Sequence, residues 1–487
     1  MMAKLGWWFL ILAAISICVY TAIFSDPGVA VAAVVLGIFA LVLYGIILGY
    51  YTGIRRHVVA HLGHRWRQGE LITHVVQTSE RVDVQLTLDR LFDGGNRHQK
   101  RVGIPGVYLS NVVQLIAQNP APAPLQWETY SSGAGQTVAC ATNALYMLRR
   151  DSGPFCVMVA PRGGGDKADR KQMELSVLAP TREQAQSALD GILERARRES
   201  IFRGKMIALE KSEDPREPFA VKFLELPKVQ REEIILPAAV MEVIERNVAG
   251  TLAHRKTLAR AGVATRRGVL FHGPPGTGKT LVTRYFSGAL PGCTVIVLTG
   301  RQLRLIRESC QLARLLSPSI IILEDVDLVA SERRRNRHNT ILHELMDEMD
   351  GLGEKTECVF LLTTNRPDIL EPALAARPGR VDQAIYFPLP DAECRRRLLR
   401  MYGRQADLSG VEIEQLVTRT EGASPAFLKE LVGRAVVMAA ERGEEVGPVR
   451  LVIEDFDRAI RELLEFGGAL TQQLLGYRGR TKDNAGI

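Results

Sequence analysis

Gly273-Pro274-Pro275-Gly276-Thr277-Gly278-Lys279-Thr280 is a complete GxxxxGKT. An apolar run, Gly268-Val269-Leu270-Phe271, leads into it, and Leu281-Val282-Thr283-Arg284-Tyr285-Phe286 continues with helical character. Strand, glycine loop and helix in that order are the context a phosphate-cradling loop requires. Glycines let backbone N–H groups turn inward on phosphates, and the helix N-terminus adds its positive dipole end. The loop is therefore expected to bind a nucleoside triphosphate. Lys279 would reach the β- and γ-phosphates, and Thr280 would place its hydroxyl on Mg²⁺.

Downstream, Ser319-Ile320-Ile321-Ile322-Leu323-Glu324-Asp325-Val326-Asp327 supplies the second half of such a site. A strand apolar on both faces belongs at the centre of a parallel sheet. Two carboxylates at its tip can divide the work, one holding Mg²⁺ through water and the other activating the attacking water. By position Glu324 takes the metal and Asp325 the base role. From Gly268 onward, apolar strands, loops and helices alternate, which predicts an α/β sheet, and the chain is helix-rich after Ala392.

The strand Val359-Phe360-Leu361-Leu362-Thr363-Thr364-Asn365-Arg366-Pro367 and the segment Arg377-Pro378-Gly379-Arg380-Val381-Asp382 complete a pattern. With Thr420-Glu421-Gly422-Ala423-Ser424-Pro425-Ala426-Phe427-Leu428-Lys429, they resemble the AAA family over about residues 236–466. The resemblance implies a P-loop module with a parallel sheet and a helical lid, using ATP and Mg²⁺ as an ATP hydrolase. It implies Asn365 as the polar sensor between the acidic pair and the γ-phosphate. Arg377 and Arg380 would be arginine fingers reaching a neighbouring subunit, hence a homo-oligomeric ring, a hexamer. Gly422 would join the nucleotide-binding residues in the lid, where Pro425 replaces the family's usual glycine.

Two departures narrow the expectation. The family's acidic pair is Asp-Glu, whereas here it is Glu324-Asp325. Threading members also carry an aromatic loop after the second strand, but Thr299-Gly300-Arg301-Gln302-Leu303 passes almost directly into a helix. Both features look like the AAA group of the mitochondrial Rieske-protein translocase, which handles folded protein. FtsH-type proteases are also similar, but the chain ends at Ile487 and His343-Glu344-Leu345-Met346-Asp347 lacks the second histidine of HExxH. No built-in peptidase is expected.

The chain has 487 residues, 46% of them hydrophobic and 24% charged, ordinary for folded domains. Two uncharged runs, Leu5–Phe24 and Val29–Tyr51, flank Ser25-Asp26-Pro27-Gly28, and each is long enough to cross a bilayer. With Lys4 before them and Arg55, Arg56, Arg65 and Arg67 after, the positive-inside rule predicts a two-span hairpin with both termini cytoplasmic. Seven scattered cysteines, none in CxxC, fit free thiols. A net charge of +8 is spread along the chain, so nucleic acid is not the expected partner. The expected organisation is a transmembrane hairpin (1–54), a mixed α/β substrate-recognition domain (55–235), a nucleotide-binding subdomain (236–391), a lid (392–466) and a tail (467–487).

Within 55–235, Val82–Leu88, Thr137–Ala141 and Met173–Leu178 are expected strands. Thr181 and Gln184 would cap a helix to about Arg198, and a strand near Lys205–Leu209 would complete β-α-β. Lys211–Arg231 is expected to be a connector. The expected function is a membrane-anchored ATPase that remodels or translocates protein. The alternatives are a nucleotide-controlled scaffold with little hydrolysis, or an ATPase stimulated by nucleic acid.

Overall fold

The computed structural model describes residues 53–93, 99–105, 111–133, 135–161, 173–212, 219–328, 340–351, 353, 356–368, 381–442, 449–466 and 476. They divide into two compact units, one up to Glu199 and one from Ser200 onward that also takes Gly133–Gly135.

The first unit contains strands β1 (Glu70–Val76), β2 (Lys100–Gly103), β3 (Trp127–Gly133), β4 (Gln136–Ala141), β5 (Ala144–Arg150), β6 (Gly153–Pro161) and β7 (Met173–Ala179). Five of them form an antiparallel sheet in the order β1-β7-β6-β5-β2, and β3 pairs with β4 separately. Its helices of seven or more residues are α1 (Ile54–Leu62), α2 (Arg81–Asp93), α3 (Val112–Gln118) and α4 (Arg182–Arg198). Strand alternation sends Tyr146, Leu148 and Val157 to α2 and α4, and Leu145, Met147 and Met158 to α1 and α3. With both faces covered, β5 is a continuous apolar run.

Three local expectations change here. Val82–Leu88 lies in α2, not in a strand. Its apolar residues alternate, yet Val84 and Leu88, four apart, enter one core, as a helix face requires. The Thr181 hydroxyl does accept from Gln184 N–H at 3.3 Å and starts α4. The strand after α4, however, pairs in the other unit's sheet, so no β-α-β closes here. Lys211–Arg231, expected as a connector, contains a strand.

The second unit holds β8 (Met206–Glu210), β9 (Ala220–Phe223), β10 (Arg267–His272), β11 (Thr294–Thr299), β12 (Ser319–Glu324), β13 (Cys358–Thr364) and β14 (Gln383–Tyr386). Their order is β14-β10-β13-β12-β11-β8-β9, parallel except for the antiparallel edge strand β9. Numbering those of seven or more residues, α5 (Ala238–Glu245) and α6 (Lys279–Ala289) pack on one face through Met241, Ile244, Val282 and Phe286. Helices α7 (Ile306–Leu315) and α8 (Thr340–Gly351) cover the other through Ile306, Cys310 and Met346. A 3₁₀ turn, Gly300–Leu305, joins β11 directly to α7. A second core, around Leu398, Leu416, Leu431 and Phe456, gathers α9 (Ala392–Tyr402), α10 (Ile413–Arg419), α11 (Pro425–Glu441) and α12 (Ile453–Arg461). Six described cysteines are free and buried.

The expected localisation as a two-span membrane protein is corrected. Among the described residues no helix is long and apolar enough to cross a membrane. The longest, α4 and α11, have 17 residues each, fall short of the roughly 20 apolar residues a span needs, and carry charged residues. The 5–51 stretch expected to form the hairpin lies outside the described residues.

Candidate nucleotide site

The parallel sheet brings the C-terminal tips of β10, β12 and β13 to one edge. This is where open α/β sheets bind ligands. Between β10 and α6 the loop makes two turns that only glycine tolerates easily. Gly278 has φ +96°, and a Cβ on Gly273 would lie 2.4 Å from the Phe387 carbonyl oxygen. Inside the loop, Thr277 Oγ1 donates to the Pro274 carbonyl at 2.9 Å. The Lys279 ammonium donates to the carbonyls of Gly273 at 2.9 Å and Pro274 at 2.8 Å. Burial pushes its pKa down to about 8, against the pull of Asp325 and Asp327. A buried ammonium held by neutral carbonyls at a helix N-terminus favours an incoming anion.

At the end of β12 the two carboxylates diverge. Glu324 turns toward α6, where Thr283 Oγ1 donates to it at 3.4 Å and the Thr280 side chain also hydrogen-bonds to it. Burial raises its pKa, opposed by nearby Arg284. Asp325 adopts φ +51°, a left-handed conformation, and faces the cavity. Asn365 Nδ2 donates to its carboxylate at 3.4 Å, and burial, then Asp327, raise its pKa. Asp327 accepts from the Thr364 hydroxyl at 2.8 Å and from the Asn365 N–H at 3.3 Å.

These groups surround a cavity of about 690 Å³, within the range of small-molecule sites. Of the residues expected from the sequence, Pro275, Gly276, Thr277, Gly278, Lys279, Thr280, Asp325 and Asn365 line it. Gly273, Pro274 and Glu324 are not among its lining residues. Gly422 turns at φ +77° just before the Ser424 cap of α11 and is not a lining residue, whereas Pro425 and Ala426 are. Ala426 N–H donates to the Gly276 carbonyl at 3.2 Å, fastening α11 to the loop. Arg377 and Arg380 lie outside the described residues.

Sequence reasoning missed Asp327, Thr363 and the lining side chains Tyr402 and Gln405. Asp327 had a signal, standing two residues beyond Asp325 in the same acidic string. The residues present fit Mg²⁺ with a triphosphate: a buried cation at the loop, and a hydroxyl beside a carboxylate as hard oxygen donors.

The profile of the "ATPase family associated with various cellular activities (AAA)" matches residues 269–389. The proteasome-activating nucleotidase of Thermococcus onnurineus is 30% identical over 302 residues, 57% of this chain and 74% of that protein. That of Pyrococcus horikoshii is 31% identical over 269 residues, 52% of this chain and 66% of that protein. The ATP-dependent zinc metalloprotease FtsH 2 of Sphaerobacter thermophilus is 35% identical over 214 residues, 41% of this chain and 33% of that protein. With the family match falling on the loop, the acidic strand and the sensor strand, and a 30% identical relative matched over 74% of its length, this chain belongs to the AAA family, ATPases that use ATP with Mg²⁺.

Proposed function

We propose that this chain couples ATP hydrolysis to remodelling or moving a protein substrate, as one subunit of a hexameric ring. The observation that carries the hydrolytic part is the convergence of Lys279, Asp325 and Asn365 on one cavity. In this reading the loop 273–280 holds the triphosphate, and Lys279 exchanges its carbonyl partners for phosphate oxygens. Thr280 and Glu324 hold Mg²⁺, which when bound neutralises charge on the phosphates. Asp325 orients and deprotonates the attacking water, Asn365 fixes that carboxylate, and Gly422 shapes the lid turn. Arg377 and Arg380 reach the nucleotide of the neighbouring subunit.

Kinship with proteins named proteasome-activating nucleotidases supports a protein as the substrate class. The direct passage from β11 through Gly300–Leu305 into α7 leaves no room for an aromatic grip loop there. That feature supports handling of folded protein, in the manner of the Rieske-protein translocase group, over threading of an unfolded chain. The first unit, with its two helix-covered faces, serves as the recognition domain.

The test is turnover by the purified full chain. ATP hydrolysis should be abolished by Lys279→Ala, and a chain whose activity survives that change is not hydrolysing through this site. Arg377→Ala or Arg380→Ala subunits mixed with Asp325→Asn subunits should regain activity, because the fingers act in trans.

A further inference from the structure

We infer that Thr363 is a positioning residue for hydrolysis, holding Asp325 in the left-handed conformation that aims its carboxylate into the cavity. The inference rests on the proposed hydrolytic reading and extends it to a residue of the sensor strand other than Asn365. The last paired rung between β12 and β13 is Leu323 with Leu362. Just past it, Thr363 clamps the turn twice. Its hydroxyl oxygen accepts from Asp325 N–H at 3.1 Å, and its carbonyl accepts from Val326 N–H at 3.0 Å. The turn is closed on its other side by Leu328 N–H donating to the Asp325 carbonyl at 3.0 Å.

Asp325 needs such a clamp because a non-glycine residue at φ +51° sits in a sparsely populated conformation. Strained residues of this kind persist where their surroundings over-determine them. Asparagine and aspartate tolerate this region better than other side chains, but nothing in Asp325 itself selects it over the β region. Rotating back to an extended backbone would carry the carboxylate away from Asn365 Nδ2. Thr363 is itself 1% exposed, and it is held in β13 between β10 and β12, so it forms a rigid anchor. Its neighbours complete an interlock, since Thr364 and Asn365 both bind Asp327. The sensor strand thus holds the acidic turn at residues 325, 326 and 327, with one hydroxyl deciding the orientation of the catalytic carboxylate.

Thr363→Val keeps the shape and the carbonyl contact but removes the acceptor, whereas Thr363→Ser restores it. In the full chain, Thr363→Val should lower kcat at least tenfold while leaving affinity for a fluorescent ATP analogue within about twofold. Thr363→Ser should recover most of the turnover. In an Asp325→Asn background, Thr363→Val should cause no further loss, as expected for residues acting through one group. An active wild type alongside a fully active Thr363→Val overturns the inference alone. So does a Thr363→Ser variant that binds the analogue yet stays as slow as Thr363→Val. A wild type that binds the analogue and never turns over removes the hydrolytic reading beneath it.

Discussion

The two units of this chain both build their cores on a sheet covered by helices on two faces, yet only one sheet gathers its strand tips into a reactive edge. In the antiparallel sheet, neighbouring strands end on opposite edges, so residues at successive strand ends, such as Arg150 and Pro161, are carried apart. In the parallel sheet every strand from β10 to β13 ends on the same side, and Glu324, Asp325, Thr364 and Asn365 converge there with the loop after β10. Chemistry follows strand direction here rather than composition, since both sheets are built from the same buried aliphatic residues.

The comparison is sharpest where chemistry and packing can be removed separately. Asp325→Asn should cut turnover by about 10² to 10⁴, the range for losing a general base, while nucleotide still binds. Steady-state hydrolysis beside equilibrium binding checks this, and unaltered turnover would remove the assigned base. Leu178→Ala in the antiparallel sheet should instead cost about 2–5 kcal/mol of that unit's stability, because Leu178 is 0% exposed. Thermal unfolding should register it, with ATP affinity at 25 °C little changed. A parallel loss of nucleotide binding would show that the two sheets do not behave as separate cores.

A smaller effect tests the electrostatics of the loop. In the nucleotide-free chain burial lowers the Lys279 pKa to about 8. Phosphate oxygens favour the charged ammonium and raise it again. Nucleotide binding above pH 8 should therefore take up protons, and affinity should fall as pH rises through that range, by up to roughly tenfold per unit. Calorimetry at pH 8.5 in buffers of different ionisation enthalpy should find uptake of roughly half a proton or more. Lys279→Arg, which stays charged, should abolish the uptake.

How much was legible in the sequence follows the range of the interactions involved. The loop 273–280, the acidic strand and Asn365 are local strings whose chemistry is carried by adjacent residues, and they could be read directly. Thr363 escaped because its role is a contact with a backbone N–H 38 residues earlier, which no local pattern encodes. Tyr402 escaped because spacing identifies helix α9 but not the cavity it borders. In the first unit, period-two alternation over Val82–Leu88 mimicked a strand, and only packing of Val84 and Leu88 into one core reveals the helix. The strand after Arg198 was visible, but not which sheet it would join, since pairing partners are chosen by the fold around them.

The smallest effect concerns the part of the antiparallel unit that its sequence did specify. Thr181, in an extended backbone conformation, offers its hydroxyl oxygen to Gln184 N–H at 3.3 Å, satisfying one of the free donors at the start of α4. The companion side chain of Gln184 does not return to Thr181 but donates to the Ser152 carbonyl at 2.8 Å, tying the helix start to the β5–β6 turn. Thr181→Ala should therefore cost about 1 kcal/mol, the usual loss of a single cap, and Gln184→Ala should cost a similar amount through a different contact. If the two act independently, their effects on unfolding add within about 0.5 kcal/mol. A clearly larger or smaller double-mutant loss would mean that the helix start and the hairpin turn order each other. Turnover should stay unchanged in all three variants, because this helix belongs to the sheet whose strand ends point both ways.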